Sequence, residues 1–234
     1  MKPYYEEHGA NGKTITIYHG DCREILPSLD YVFFCLTDPP FGTGELTGGY
    51  GRAQNHGGHG RTIIGDKDLS VLKEAAPLIY SGIGTPGWLI TFCAPRRMLE
   101  TGRLFEDAGF QFYGEIVWDK GAPGLGFTIR YAHESLLVFR KGNAEREENA
   151  IISVQRESID RIATQLRHPH EKPVSILKSI LLLGNGTVLD PFMGSGPVLR
   201  AAKDLGRKAI GIEIEERYCE MAVKLLKQET LELE

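Results

Sequence analysis

An apolar run, Tyr31-Val32-Phe33-Phe34-Cys35-Leu36-Thr37, stops abruptly at Asp38-Pro39-Pro40-Phe41. A stretch of that composition, without polar alternation, describes a strand buried on both faces, as in a parallel sheet. Two consecutive prolines can neither extend a strand ladder nor enter a helix interior. The backbone must therefore leave the sheet as a stiff, extended turn at the strand's carboxyl end. That is where open α/β sheets bind their ligands. An acid before the turn and an aromatic after it offer a charged acceptor, a fixed backbone carbonyl and a flat stacking face. A planar ligand carrying an amino group suits that combination. The bland alternative is a proline-rich strand exit with no chemistry.

The rest of the chain alternates strand and helix patterns. Strands are expected at 14–19, 32–37, 88–93, 111–118, 134–139, 187–189 and 208–212, with Pro86-Gly87 as a break before the third. Helices are expected at 22–29, 69–80, 96–108, 173–183, 198–205 and 215–228. This alternation indicates one doubly wound, mostly parallel α/β sheet of seven strands, in a single domain over 1–234. The connection between 111–118 and 134–139 is too short for a crossover helix, so those two strands should be antiparallel neighbours. Two segments carry no periodicity. Residues 42–68 form a long Gly-rich loop of the kind that serves as a lid or insert. Residues 143–167 are polar and of mixed charge, and propensity assigns them no element.

Composition narrows the class. Charged residues make up 25% and apolar ones 41%, an ordinary globular balance. No apolar stretch approaches the length of a membrane span, and the polar first ten residues, with two Glu, do not read as a signal peptide. A cytoplasmic location is expected. Cys22, Cys35, Cys93 and Cys219 are scattered without a CxxC pair, so reduced thiols are expected rather than a metal site or disulfides. The net charge of −4 argues against a freestanding basic nucleic-acid binder. Residues 213–234, however, hold seven Glu against three Lys or Arg. That segment carries the whole excess and leaves a neutral body able to present a local basic face.

At the far end, the 187–189 strand runs into Asp190-Pro191-Phe192-Met193-Gly194-Ser195-Gly196 and then a helix. Strand, Gly-x-Gly turn and helix is the layout of a nucleotide or cofactor loop. The dinucleotide fingerprint needs a third glycine where this chain has Leu199, and Asp190 would repel a pyrophosphate. A cofactor with a cationic amino-acid end and no phosphate fits better. Glu213, at the tip of the next strand, stands where a carboxylate accepts ribose hydroxyls. Together these favour S-adenosylmethionine over NAD. A glycine turn used only for close helix packing is the alternative.

These residues resemble a known family. Asp38-Pro39-Pro40-Phe41 is similar to the D-P-P-Y/F motif of amino-directed DNA methyltransferases, and Asp190 to Gly196 to their D-P-F-x-G-S-G cofactor loop. His168-Pro169-His170-Glu171-Lys172-Pro173 resembles the H-P-x-x-K-P segment before that loop, and His133-Glu134 also recurs there. The order, catalytic motif ahead of cofactor loop, is that of the beta class, and the likeness runs from about Tyr18 to the C-terminus. It implies a seven-stranded methyltransferase Rossmann-like sheet with one antiparallel strand, circularly permuted so that the 187–189 strand is first and the chain's natural beginning lies near 173. It also implies cofactor contacts at Asp21, Lys172, Asp190, Pro191, Phe192, Gly194, Ser195, Gly196 and Glu213. For Asp21, an N-cap on its own helix is an equally good reading, and both roles are compatible.

The resemblance implies a mechanism as well. The exocyclic amine of adenine or cytosine is a poor nucleophile because its lone pair is delocalised into the ring. Asp38 and the Pro39 carbonyl would accept its hydrogens, Pro40 would stiffen the turn, and Phe41 would stack on a base flipped from duplex DNA. Adenine N6 is favoured by D-P-P. The alternatives are cytosine N4, an RNA or protein amide, and a degenerate fold that only binds DNA. Arg52 and Arg61 in the long loop, and Arg156 and Arg161 in the short 143–167 recognition region, are the candidate DNA contacts. A homodimer would compensate for that region's small size. Phe41 for the usual Tyr, and Pro197 where Thr is frequent, are departures from the pattern.

Overall fold

The computed structural model describes residues 1–9, 12–42, 64–121, 129–144, 151–156 and 172–228. In chain order the elements are β1 (Tyr5–His8), β2 (Thr14–His19), α1 (Cys22–Ile25), β3 (Val32–Thr37), α2 (Ser70–Gly82), β4 (Ile83–Cys93) and α3 (Met98–Asp107). There follow β5 (Gln111–Asp119), β6 (His133–Lys141), β7 (Val154–Arg156), α4 (Val174–Leu181), β8 (Val188–Asp190), α5 (Pro197–Asp204), β9 (Ala209–Glu213) and α6 (Glu216–Lys227). The strands form one sheet in the order β1-β2-β9-β8-β3-β4-β6-β5-β7.

The inner seven strands are those expected, and among them β6 alone is reversed, pairing antiparallel with both β4 and β5. The run β2-β9-β8-β3 places the strand that is first in the fold, β8, near the chain's end and beside β3. That is the permuted order. Period-two alternation sends Phe34, Leu36, Trp88, Ile90 and Phe92 to one face, where α4, α5 and α6 pack. Cys35, Leu89 and Cys93 go to the other, under α1, α2 and α3. The sheet is thus covered on both sides, as an unbroken apolar strand such as β3 requires.

Three expectations change. Pro86 does not precede β4 but lies inside it. Between Ile83, opposite Val32, and Trp88, opposite Phe34, the β3 ladder slips register. Pairing with β6 begins only at Gly87. The missing proline N–H therefore falls where no ladder bond is made. The polar N-terminus contributes β1, antiparallel to β2. Tyr5 packs on the core, while Glu7 takes the Lys203 ammonium at 2.6 Å, so an acidic tetrapeptide becomes an edge strand. The 143–167 segment supplies β7, parallel to β5. All four cysteines are buried. Among the described residues no helix is long and apolar enough to cross a membrane.

Candidate active site

Four parallel strands, β2, β9, β8 and β3, lie side by side, and each ends near an acid: Asp21, Glu213, Asp190 and Asp38 respectively. The sheet, not local sequence, gathers them.

The glycine turn is shaped by two left-handed residues, Gly194 (φ 52°) and Gly196 (φ 84°), a region that side-chain-bearing residues rarely adopt. A Cβ on Gly196 would stand 2.8 Å from that of Ala222, so the turn is pressed against α6. A Cβ on Gly194 would meet nothing within 4 Å, so this side of the turn borders open space at the carboxyl edge. Leu199 occupies the place of the absent third glycine and is fully buried. The close approach is made from the strand instead. A Cβ on Gly211 would lie 2.5 Å from the Met193 sulfur and 2.8 Å from Leu199. Pro197 is the first residue of α5, where an amide hydrogen would have no helical acceptor, so that departure costs the turn nothing. Pro191 is buried, and Phe192 and Ser195 are half-buried.

Glu213 braces this turn. Its two oxygens accept the Gly194 and Glu215 amides at 2.9 and 2.8 Å, while burial pushes its carboxyl up. Asp190 is fully buried and accepts from the Thr37 hydroxyl at 2.7 Å and the Phe192 amide at 3.2 Å. Burial drives its carboxyl up to about 7; the two hydrogen bonds offset part of that, and the Asp38 and Glu213 charges add to it. The glycine turn, open at Gly194 and lined with acceptors, suits a ligand with hydroxyls and a cationic end. It lacks the phosphate-binding third glycine.

The acid turn is held differently. Pro39 is buried, Pro40 half-buried, and Phe41 packs against the core beneath it. The Arg97 guanidinium donates to the Gly42 carbonyl at 3.1 Å, fixing the turn's exit, and pairs with Glu100. Lys172, only 7% exposed, places its ammonium 3.0 Å from Asp38 and 2.9 Å from Glu134. Glu134 also takes Lys120 at 3.1 Å. Burial pulls the Lys172 ammonium down, but the two carboxylates outweigh it and leave it above the ordinary range. Glu134 balances the opposite way: burial raises it, and Lys172 and Lys120 bring it below the usual value.

The turns meet through Thr37 and Asp190, 153 residues apart in sequence. Other expected residues have their own partners. Lys172 lies on the acid turn and not among the glycines. Asp21 caps α1 by accepting the Arg23 amide at 2.9 Å, and both its oxygens take the Arg23 guanidinium, which holds the carboxyl below its usual value. Arg156, on β7, is 82% exposed at the side chain and 3.3 Å from Asp119. Arg52, Arg61, Arg161 and most of 42–68 and 143–167 lie outside the described residues. Sequence reasoning assigned no role to Thr37, Arg97, Lys120 or Glu134. Only Glu134 had a signal, in the His133-Glu134 pair before an apolar strand.

A doubly wound sheet whose carboxyl edge pairs an acid-Pro-Pro-aromatic turn with a D-P-F-x-G-S-G turn defines an amino-directed methyltransferase. The profile of the DNA methylase family N6/N4 matches residues 32–224. YubD of Escherichia coli (strain K12), named as a methylase, is 31% identical over 204 residues, 85% of this chain and 84% of its own. Type II methyltransferase M2.LlaDCHI of Lactococcus lactis subsp. cremoris is 29% identical over 96% of this chain and 92% of its own. The crystal structure of the M1.HpyAVI-SAM complex superposes with a TM-score of 0.66 at 25% identity, covering 91% of this chain and all of that one. The chain belongs to the N6/N4 DNA methylase family, and its motif order is that of the beta class.

Proposed function

We propose that this chain methylates the N6 amine of adenine in duplex DNA, using S-adenosylmethionine bound at the glycine turn. The observation that carries the reading is the Thr37–Asp190 hydrogen bond, which sets the acid turn and the glycine turn side by side. Gly194, Ser195, Gly196, Phe192 and Glu213 would hold the cofactor, with Pro191 shaping the turn and Asp190 facing the cationic end. When bound, S-adenosylmethionine supplies an electrophilic methyl group on a sulfonium.

The chain's own part is positioning and electrostatics. The Asp38 carboxylate and the Pro39 carbonyl accept the target amine's hydrogens, which localises the nitrogen lone pair. Phe41 stacks on the flipped base and offsets part of the cost of unstacking it. Asp38 is the nearest base to receive the proton the amine sheds. No cysteine is needed, and the four buried thiols take no part. Arg156 and the arginines at 52, 61 and 161 are the proposed DNA contacts, and a cytoplasmic location goes with a DNA substrate. Cytosine N4 is the second reading, since the same turn accepts either amine.

Incubation with methyl-labelled cofactor and duplex DNA, followed by nucleoside analysis, tests this. Label in N6-methyl-2′-deoxyadenosine is the expected result. Label in N4-methyl-2′-deoxycytidine would move the assignment to the second reading, and no label in either would overturn both.

A further inference from the structure

We infer that Lys172 and Glu134 are a positioning pair for Asp38: the buried ammonium pins the carboxylate in one orientation and keeps it anionic, and Glu134 holds the ammonium in place. The inference rests on the proposed role of Asp38 and adds to it a cation that the family likeness had put with the cofactor.

The geometry is specific. Lys172 comes from the residues leading into α4, Asp38 from the end of β3 and Glu134 from β6, so three separate elements converge on one nitrogen. The same ammonium stands 5.5 Å from the Phe41 ring centroid and 4.9 Å from that of Phe92, the contact a cation makes with an aromatic face. A lysine that buries its whole side chain does so only when paired, and here the two carboxylates share it. Lys120, on the outer side of Glu134, ties that carboxylate to the surface. An amine entering between Asp38 and Phe41 would therefore meet an acceptor whose orientation is already set and whose charge is already balanced.

The other groups within electrostatic reach of Asp38 are Asp190 at the end of β8 and Cys93 at the end of β4. The first is an acid and the second a thiol pushed up to about 12, mainly by burial. Among the described residues, Lys172 is thus the cation in direct contact with Asp38. Without it, Asp38 and Glu134 would be neighbouring carboxylates, and one of them would hold its proton to higher pH.

Lys172→Met and Glu134→Gln separate this role from a cofactor or scaffold role. For Lys172→Met the inference expects about a 100-fold loss of kcat. The acid limb of the pH–rate profile should move up by about one pH unit or more. Cofactor affinity should be unchanged. Glu134→Gln should move the acid limb down, because Asp38 then has the ammonium to itself. Carbon-13 titration of the Asp38 carboxyl reads the same pair of opposite shifts without catalysis, so the test stands even if no DNA base is methylated. An inactive wild type would sink the proposed function alone. Unmoved carboxyl titration in both variants, or a loss of cofactor affinity in Lys172→Met with the acid limb in place, would overturn the inference.

Discussion

The two functional turns are built on the same dipeptide and behave as electrostatic opposites. Asp38-Pro39 leaves β3 and Asp190-Pro191 leaves β8, on adjacent parallel strands. Each proline ends its strand at the carboxyl edge. Asp38 is partly exposed and faces an ammonium at 3.0 Å. Asp190 is sealed from solvent, and the charges around it, Asp38 and Glu213, are both acidic. On the proposed function, the first arrangement sets an ammonium beside the acceptor before substrate arrives. The second leaves a buried carboxyl raised to about 7, to which the proposed cofactor's cationic end would bring a counter-charge. On that reading the same acid-proline exit serves either chemistry, and the partner brought by a third element decides which.

Breaking Asp38 should have the largest effect. Asp38→Ala removes the acceptor that localises the amine lone pair, and methyl transfer should fall about 1,000-fold. Cofactor affinity, measured by calorimetry, should hold, because the side chain belongs to the other turn. Full activity in this variant would end the proposed mechanism.

Asp190→Asn tests the opposite turn and should move binding and stability in contrary directions. Asparagine keeps an oxygen for Thr37 and Phe192 but loses the charge offered to a cationic ligand. Cofactor affinity should drop about 10- to 100-fold. Stability follows from linkage. The unfolded chain ionises Asp190 near 3.8, whereas the fold retains the proton until about 7. The native state therefore binds the extra proton in that window, and this group's contribution is lost as pH rises through it. At pH 8 the variant should exceed the wild type by on the order of 2 to 4 kcal/mol in urea unfolding, and at pH 4 the gain should vanish. For the same reason wild-type cofactor affinity should rise between pH 6 and 8, with proton release detectable by calorimetry in buffers of different ionisation heat.

The contrast between the turns also marks how far the sequence could be read. Both motifs were legible because proline and glycine act locally. A double proline must stop β3 wherever the fold places it, and Gly194 and Gly196 must turn left-handed. The inner seven strands were legible from their patterns, since an unbroken apolar run such as that of β3 must be covered on two faces and the alternation of β2 marks a strand covered on one. What joins the turns was not. Thr37 and Asp190 are 153 residues apart, and Lys172 reaches Asp38 from a different element again. Such pairings depend on strand order and side-chain reach, which no local window holds. Gly211 shows the same limit. Its role is to admit Met193 from the neighbouring turn and Leu199 from α5, and nothing adjacent to it in the chain says so. β1 escaped notice because Glu6 and Glu7 read as solvated charge, while Lys203, far along the chain, takes Glu7.

The smallest expected effect sharpens the comparison with a third strand-end acid. Asp21 stands at the same edge, next to Glu213, where Gly20 donates to the Glu213 carbonyl at 2.9 Å. Its carboxylate is neither offered to an amine nor held near neutrality. Arg23 takes both oxygens, and the Arg23 amide makes it the cap of α1. An acceptor occupied this fully has little to give a ligand. Asp21→Ala should cost about 1 kcal/mol in urea unfolding through the lost cap. Asp21→Asn, an equally good cap, should leave stability within about 0.5 kcal/mol of the wild type. Neither should change cofactor affinity by more than about twofold, which is under 0.5 kcal/mol. A tenfold loss of affinity in Asp21→Asn would instead put this carboxylate on the cofactor, and three acids at one sheet edge would then serve the ligand rather than two.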